Sequence, residues 1–174
     1  MAGISRINKS GLTQIQKRQL RNALKENSAI RYLTADQTLA QSSAAHVAVT
    51  GCAIPVSAGK VYRFNAFVYS TAGSASGGTQ ISFTGSATAN FITGQFSADG
   101  ATASTPTATA ITAITTESDA TEGGATAILI TATGTYSPSV DGFFKLAAGQ
   151  AASHASDSVI KKGSYVELTE IIQS

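Results

Sequence analysis

From Ala58 to Tyr69 the chain reads AGKVYRFNAFVY, and this run restricts the fold more than any other. Tyr62, Phe64, Ala66 and Val68 form one alternating set; Val61, Arg63, Asn65, Phe67 and Tyr69 form the other. Alternation with a period of two among β-branched and aromatic residues is the pattern of a strand. Aromatic rings occur in both sets, so both faces of the strand are expected to be covered. The cover would be two protein layers, or one layer and a neighbouring subunit.

The rest of the body repeats this pattern in shorter pieces. Ala44–Ala53 alternates around Val47, Val49 and Gly51 and is ended by Pro55, while Gln80–Thr84 puts Ile81 and Phe83 on one face ahead of Gly85. Ala87–Phe96 follows, then the low-complexity stretch Ala101–Ala110, with strand resuming near Thr109–Thr116. Glu117–Gly124 is an acidic loop, Ala125–Thr135 a strand, and Tyr136–Gly142 a turn built on Pro138 and Asp141-Gly142. Phe143–Ala151 is a strand, Ser153–Lys162 a polar loop and Ser164–Ile172 the last strand. Short strands at such regular spacing predict a mainly β fold, a single jelly-roll or β-sandwich domain over residues 36–174.

The side chains available for its core are small. Ala, Thr, Ser and Gly number 30, 22, 21 and 16 of the 174 residues, against 8 Leu, 14 Ile and 8 Val. Burial stabilises by about 25 cal/mol per Å² of apolar surface, so each small residue contributes little. Association of subunits is expected to supply part of the rest.

Residues 1–35 are of a different kind. Between residues 1 and 31 there are seven Lys or Arg against Glu26 alone, a net charge of +6, while the remainder of the chain carries −4. A basic arm on a mildly acidic body suits docking on an acidic surface. Thr13 with Gln16 fits a capping box. Helix-forming residues follow as far as Lys25, and Leu12, Ile15, Leu20, Ala23 and Leu24 make a narrow apolar stripe. A short helix is therefore expected at about 13–26 in an otherwise extended arm, ended by Asn27 and Ser28. So short a helix needs a partner. The residues expected to make that contact are Arg6, Lys9, Leu12, Ile15, Lys17, Arg18, Leu20, Arg21, Leu24 and Lys25. No aromatic precedes Tyr32 to stack on bases, which favours a protein surface over nucleic acid. Arg31–Gln41 reads as the connection into the body, anchored by Tyr32, Leu33 and Leu39.

Chemistry finds little foothold. Cys52 is the only cysteine, so no disulfide or cysteine cluster forms within one chain, and no base is indicated beside it. His46 and His154 are far apart without a carboxylate or cysteine at ligand spacing, so a metal site within one chain is not expected. Ser153, His154, Ser156, Asp157 and Ser158 include the residue types of a hydrolase, but only a tertiary fold assembles a triad. Asp119 and Glu122 could bind a hard cation such as Ca²⁺ or meet a basic patch on a neighbour, but with two carboxylates only, a solvated loop is the expectation. Gly77-Gly78 and Gly123-Gly124 lack the lysine and the strand-to-helix setting of a phosphate loop. No enzymatic activity, cofactor or metal is expected. MAGISRINKS has no apolar signal-peptide core, and no run reaches the ~20 apolar residues of a membrane span. The protein is expected to be made in a cytoplasm and to join an assembly, with no membrane partner.

Three segments in order, VSAGKVYRFNAFVYST, ISFTGSATAN and GFFKLAAGQAASHASDSVIKKGSYVELTEI, resemble a β-sandwich domain common in tailed-phage virion proteins. The matching positions are Ala58, Gly59, Tyr62, Phe64, Tyr69 and Ser70, then Gly85, Ala87, Thr88 and Ala89, then Gly142, Ala148, Gln150, Ser153, Gly163, Ser164, Tyr165 and Ile171. They cover about residues 44–172, and Gly149 departs from the Ala-Gln pair usual there. The resemblance implies a tumour-necrosis-factor-like jelly roll that trimerises on the virion exterior. No fibrous repeat precedes the domain, so it implies a capsid decoration or cement protein before a head fibre, tail fibre or baseplate component. Homotrimers would sit on the outer capsid surface, and the arm would bridge subunits of the major capsid protein and stabilise the head. The alternative is a fibre or baseplate component that binds host-surface glycan through its loops, with an exposed tyrosine such as Tyr136 as the feature to look for.

Overall fold

The computed structural model describes residues 13–14, 28–40, 43–72, 74, 77–86, 88–98, 107–118 and 124–171. Their elements are all strands: β1 (Ser28–Tyr32), β2 (Gln37–Thr38), β3 (Val47–Val56), β4 (Tyr62–Ala72), β5 (Gln80–Gly85), β6 (Ala89–Ala98), β7 (Thr107–Ile111), β8 (Gly124–Pro138), β9 (Gly142–Gly149), β10 (Ser158–Ile160) and β11 (Tyr165–Glu170).

The pairing is nested. β1 meets β11, β2 meets β10, β3 meets β9, β4 meets β8 and β6 meets β7, every pair antiparallel. That is the path of one long hairpin folded over itself, and it deals the strands into two sheets. The larger runs β1-β11-β4-β8-β6-β7, with β10 and β2 joined through β4; the smaller runs β3-β9-β5.

β4 shows why the two sheets face each other. Its inward set, Tyr62, Phe64, Ala66 and Val68, is buried as the alternation predicted. Across the larger sheet the inward row through Phe64 continues to Gly134 and then Gly94. A Cβ on Gly134 would stand 2.5 Å from Phe64 Cζ, and one on Gly94 would stand 3.0 Å from it. The two glycines thus leave the hollow that the Phe64 ring fills. From the smaller sheet Phe83 meets that ring edge-on at 5.0 Å and Phe144 lies 5.6 Å away. Phe83 and Phe144 stack at 4.6 Å, and Tyr136 lies 4.9 Å from Phe144. Aromatic volume therefore makes up for the small residues elsewhere in the core.

The edges of the smaller sheet are closed by side chains and loop backbone. Gln37 Nε2 donates to the Ala48 carbonyl at 3.2 Å, and its Oε1 accepts the Thr50 N–H at 2.7 Å, so one carboxamide stands in for a neighbouring strand beside β3. The segment 112–118 covers β5: Phe83 N–H donates to the Ile114 carbonyl at 3.1 Å, and Ser118 N–H to the Ile81 carbonyl at 2.8 Å.

β10 and β11 follow one another along β4, and the step between them is the turn Lys161–Ser164. Gly163 there has φ +90°, a conformation that a Cβ disfavours. Ser164 Oγ donates to the Lys161 carbonyl at 2.8 Å and accepts the Tyr69 N–H at 3.0 Å. Asp36 holds the same turn from outside, accepting the Lys162 N–H at 2.8 Å and pairing with Lys161 Nζ at 3.2 Å. The Lys162 N–H first, and then the Lys161 ammonium, keep its carboxyl below the ordinary range.

Several expectations are corrected. The fold is not a sandwich preceded by a partly helical arm ending at residue 35: no helix element occurs among the described residues, and 28–32 is a strand of the larger sheet. β11 offers Ser28–Tyr32 a full antiparallel ladder, and pairing takes precedence over a connector there. Of the helix expected over 13–26, only Thr13 and Gln14 lie among the described residues. Leu33 and Leu39 are buried as anchors, but Tyr32 is 59 % exposed on the outer face of β1. The strand expected at Thr109–Thr116 is Thr107–Ile111. Thr116 Oγ1 accepts the N–H of Ala113 at 3.0 Å, and this turns the chain off the larger sheet. The polar loop expected over Ser153–Lys162 contains β10, and β8 runs on to Pro138.

Candidate interaction surface

All ten arm residues expected to make a contact (Arg6, Lys9, Leu12, Ile15, Lys17, Arg18, Leu20, Arg21, Leu24 and Lys25) lie outside the described residues, as do Asp119, Glu122 and Gly123. What the described residues offer is the outer face of the larger sheet.

Side chains on alternate residues of β1, β11 and β4 point away from the core, and the register lines them up. Tyr32 sits opposite Tyr165, and Tyr165 opposite Phe67. The Phe67 and Tyr165 rings are 5.7 Å apart with planes 6° from parallel, and Tyr69 lies 6.0 Å from Phe67. One row along, Ile30 faces Glu167, which faces Asn65; beyond it come Ser28, Thr169 and Arg63. Ser28 Oγ donates to Glu167 Oε1 at 2.8 Å. Tyr32, Ile30 and Tyr69 are 59 %, 52 % and 43 % exposed. The face therefore combines an aromatic ridge with a polar border that carries one Arg and one Glu. Tyrosine-rich surfaces of this composition are typical of the cores of protein interfaces, where phenol rings bury area and their hydroxyls still find partners. The outward set of β4 was expected to be covered; in the isolated subunit it is open.

The groups with chemical potential are built into the scaffold. The Cys52 side chain is fully buried, and burial pushes its thiol up to about 11, which removes the thiolate needed of a nucleophile. His154 holds its own loop together: Nδ1 accepts the Ser156 N–H at 3.0 Å, Nε2 lies 3.2 Å from Ser74 Oγ, and its N–H donates to Gln150 Oε1 at 3.1 Å. Gln150, wholly buried, returns a bond from Nε2 to the Ser156 carbonyl at 2.7 Å, and Ser158 Oγ donates to the Gly78 carbonyl at 3.0 Å. The Ser/His loop is thus a self-locked turn. Gly77-Gly78 is a turn as well, with Gly77 N–H donating to the Ser74 carbonyl at 3.2 Å. Tyr136, wanted as an exposed tyrosine for glycan, is fully buried. No group of three or more His, Cys, Asp or Glu suited to a metal occurs among the described residues, and no helix there is long and apolar enough to cross a membrane.

His46 has a carboxylate neighbour among the described residues. Its Nδ1 lies 2.7 Å from Ser82 Oγ and its Nε2 3.7 Å from Glu117 Oε1. Sequence reasoning missed this trio because 36 residues separate His46 from Ser82 and only the docking of 112–118 on β5 brings in Glu117. Ser82 is 4 % exposed, so the hydroxyl lies out of a substrate's reach. Gly149, the departure from the resembled pattern, has its reason here. A Cβ on it would collide with His46 Cδ2 and stand 3.1 Å from Nε2.

No family model, no curated protein and no solved structure matches this chain.

Proposed function

We propose that the protein is a non-enzymatic structural component of a tailed-phage virion, a decoration protein that forms homotrimers and binds the outer capsid surface. The observation that carries its self-association is the outward aromatic row Tyr32, Tyr165 and Phe67 with Tyr69 beside it, in which Tyr32 and Tyr69 are exposed and Tyr165 and Phe67 half-buried. The border of that face holds Arg63 and Glu167, so its copies do not repel one another and each sign finds its opposite. The virion setting and the three-fold state rest on the ordered motifs from Ala58 to Ile171. Several of their residues hold the architecture in place: Gly163 and Ser164 at the β10–β11 step, Gln150 in the His154 loop, and Phe64 over its glycines. The basic N-terminal segment supplies the contact with acidic surface on the major capsid protein. Three such segments on one trimer bind with a high effective concentration and bridge neighbouring capsid subunits.

The test is light scattering of the purified protein, followed by co-sedimentation with empty capsids and with tails. Expected are particles of three times the 17.7 kDa subunit mass that sediment with capsids. Tyr32→Glu with Tyr69→Glu gives folded monomers, and removal of residues 1–27 gives trimers that stay in the supernatant. A monomeric wild type, or undiminished capsid binding by the truncated chain, overturns the corresponding part. Binding to tails alone moves the protein to the adsorption apparatus.

A further inference from the structure

His46 sits just ahead of β3, at a seam where three other pieces of chain converge. β5 supplies Ser82, β9 ends on Gly149 against the imidazole, and the segment 112–118 brings Glu117. Only 11 % of the His46 side chain is exposed. Its Nε2 is buried with no hydrogen-bond partner among the described residues, because 3.7 Å to Glu117 is too long for one. The same segment is held to β5 by the Ile114 and Ile81 carbonyls, by Ser118 Oγ, which accepts the Ile81 N–H at 3.0 Å, and by Gln80 Nε2, which donates to the Ser118 carbonyl at 2.8 Å. This is where the larger sheet, through β7, is tied across to the smaller.

The neutral ring has one favourable arrangement. Ser82 Oγ donates to Nδ1, and Nε2 keeps its hydrogen towards the carboxylate; the other tautomer would aim a lone pair at Glu117. A second proton reverses the Ser82 bond. Nδ1 becomes a donor, and the buried hydroxyl must find another acceptor. The new charge also lies in a mostly buried place. Burial lowers the affinity of His46 for that proton, and Glu117, half exposed, offsets the effect only in part. Among the described residues the neighbouring elements offer no other compensation: β3 and β5 contain no charged residue, and the one charge on β9, Lys145, lies opposite Ala53 and Thr84. Glu117 is the only charged residue of 112–118.

We propose that His46 is an acid-sensitive latch: the neutral ring keeps the segment 112–118 closed along β5, and its protonation loosens that segment and opens the seam between the sheets. The device goes beyond the virion reading and stands or falls separately from it. A folded-state pKa below the ordinary 6.5 means that the opened form binds the proton more tightly. The closed state is therefore fully favoured above about 6.5 and loses that advantage as pH falls from there through the depressed value.

Hydrogen exchange of the full-length protein, read amide by amide between pH 7.5 and 5 and corrected for intrinsic rates, tests this. Protection of the Ile81, Phe83 and Ser118 amides is expected to fall on acidification, by up to about tenfold for each unit by which the pKa is depressed. The Phe64 and Ala132 amides, deep in the β4–β8 ladder, are expected to change much less. His46→Gln removes the pH dependence. Glu117→Gln steepens it, because the offset that Glu117 gives to burial is gone, and this second variant leaves the buried imidazole in place should the first fail to fold. Wild-type pH dependence in His46→Gln, or a flatter profile in Glu117→Gln, overturns the latch.

Discussion

Replacing Gly134 by Ala tests the packing of the core at its centre, because the expected sign is opposite to that at an open position. Where space permits, Gly→Ala stabilises by about 0.4–1 kcal/mol through the unfolded chain. Here the added methyl would stand 2.5 Å from Phe64 Cζ and 2.7 Å from Gly94 Cα, and would press on the Thr93 carbonyl oxygen. Two of these three contacts are backbone across the β6–β8 ladder, and they yield only if the strands part. Overpacking of this kind costs about 1–3 kcal/mol, so a net loss of about 1–2 kcal/mol is expected. At this chain length that is a fall in Tm of about 2–8 °C. The assay is urea unfolding followed by circular dichroism, since the chain has no Trp, at one fixed protein concentration for all variants. Phe64→Leu withdraws the ring tip but leaves the Thr93 oxygen, so the double variant is expected to be less damaged than the sum of the singles by about 1 kcal/mol. A Gly134→Ala protein as stable as wild type, or strict additivity with Phe64→Leu, would refute the idea that the paired glycines exist to seat that ring.

Two further outcomes follow from single buried groups. The Tyr136 hydroxyl is buried with no hydrogen-bond partner among the described residues, and burial, with Tyr62 adding to it, raises its pKa. Tyr136→Phe is expected to be neutral or to stabilise by about 1 kcal/mol, the cost of desolvating an unpaired hydroxyl being removed; a loss of stability in urea would show that the hydroxyl has a partner. Cys52, fully buried with its thiol pushed up to about 11, is expected to resist a thiol reagent at pH 8 until the chain unfolds, so that labelling and unfolding midpoints in urea coincide. Fast labelling of the native protein would count against that burial.

Much of the inward architecture is legible in the amino-acid sequence. Period-two alternation marks β4 and β5 and picks out Phe64, Val68, Ile81 and Phe83 as core, because each strand residue's face is set locally by the pleat. The ordered glycines and serines of the closing segment mark real turns, as at Gly163 and Ser164. Local pattern fails where pairing partners decide the state. Ser28–Tyr32 has no strong strand signal of its own and becomes one through β11, and Thr112–Ser118 continues a β-branched run but leaves the sheet to cover β5. The same division holds for the surface and the latch. The composition of β4 alone shows that Phe67 and Tyr69 need cover, but that Tyr32 and Tyr165 complete their row depends on strands 28–32 and 165–170 flanking one another in register. His46, Ser82, Glu117 and Gly149 carry no motif in sequence, and even the oddity of Gly149 acquires a meaning only from the imidazole that lies where its Cβ would be. Sequence by itself determined which side chains alternate and therefore which faces exist. Only the tertiary structure decided which faces meet, because long-range antiparallel pairing sets the register, and one residue of slip would exchange core for surface.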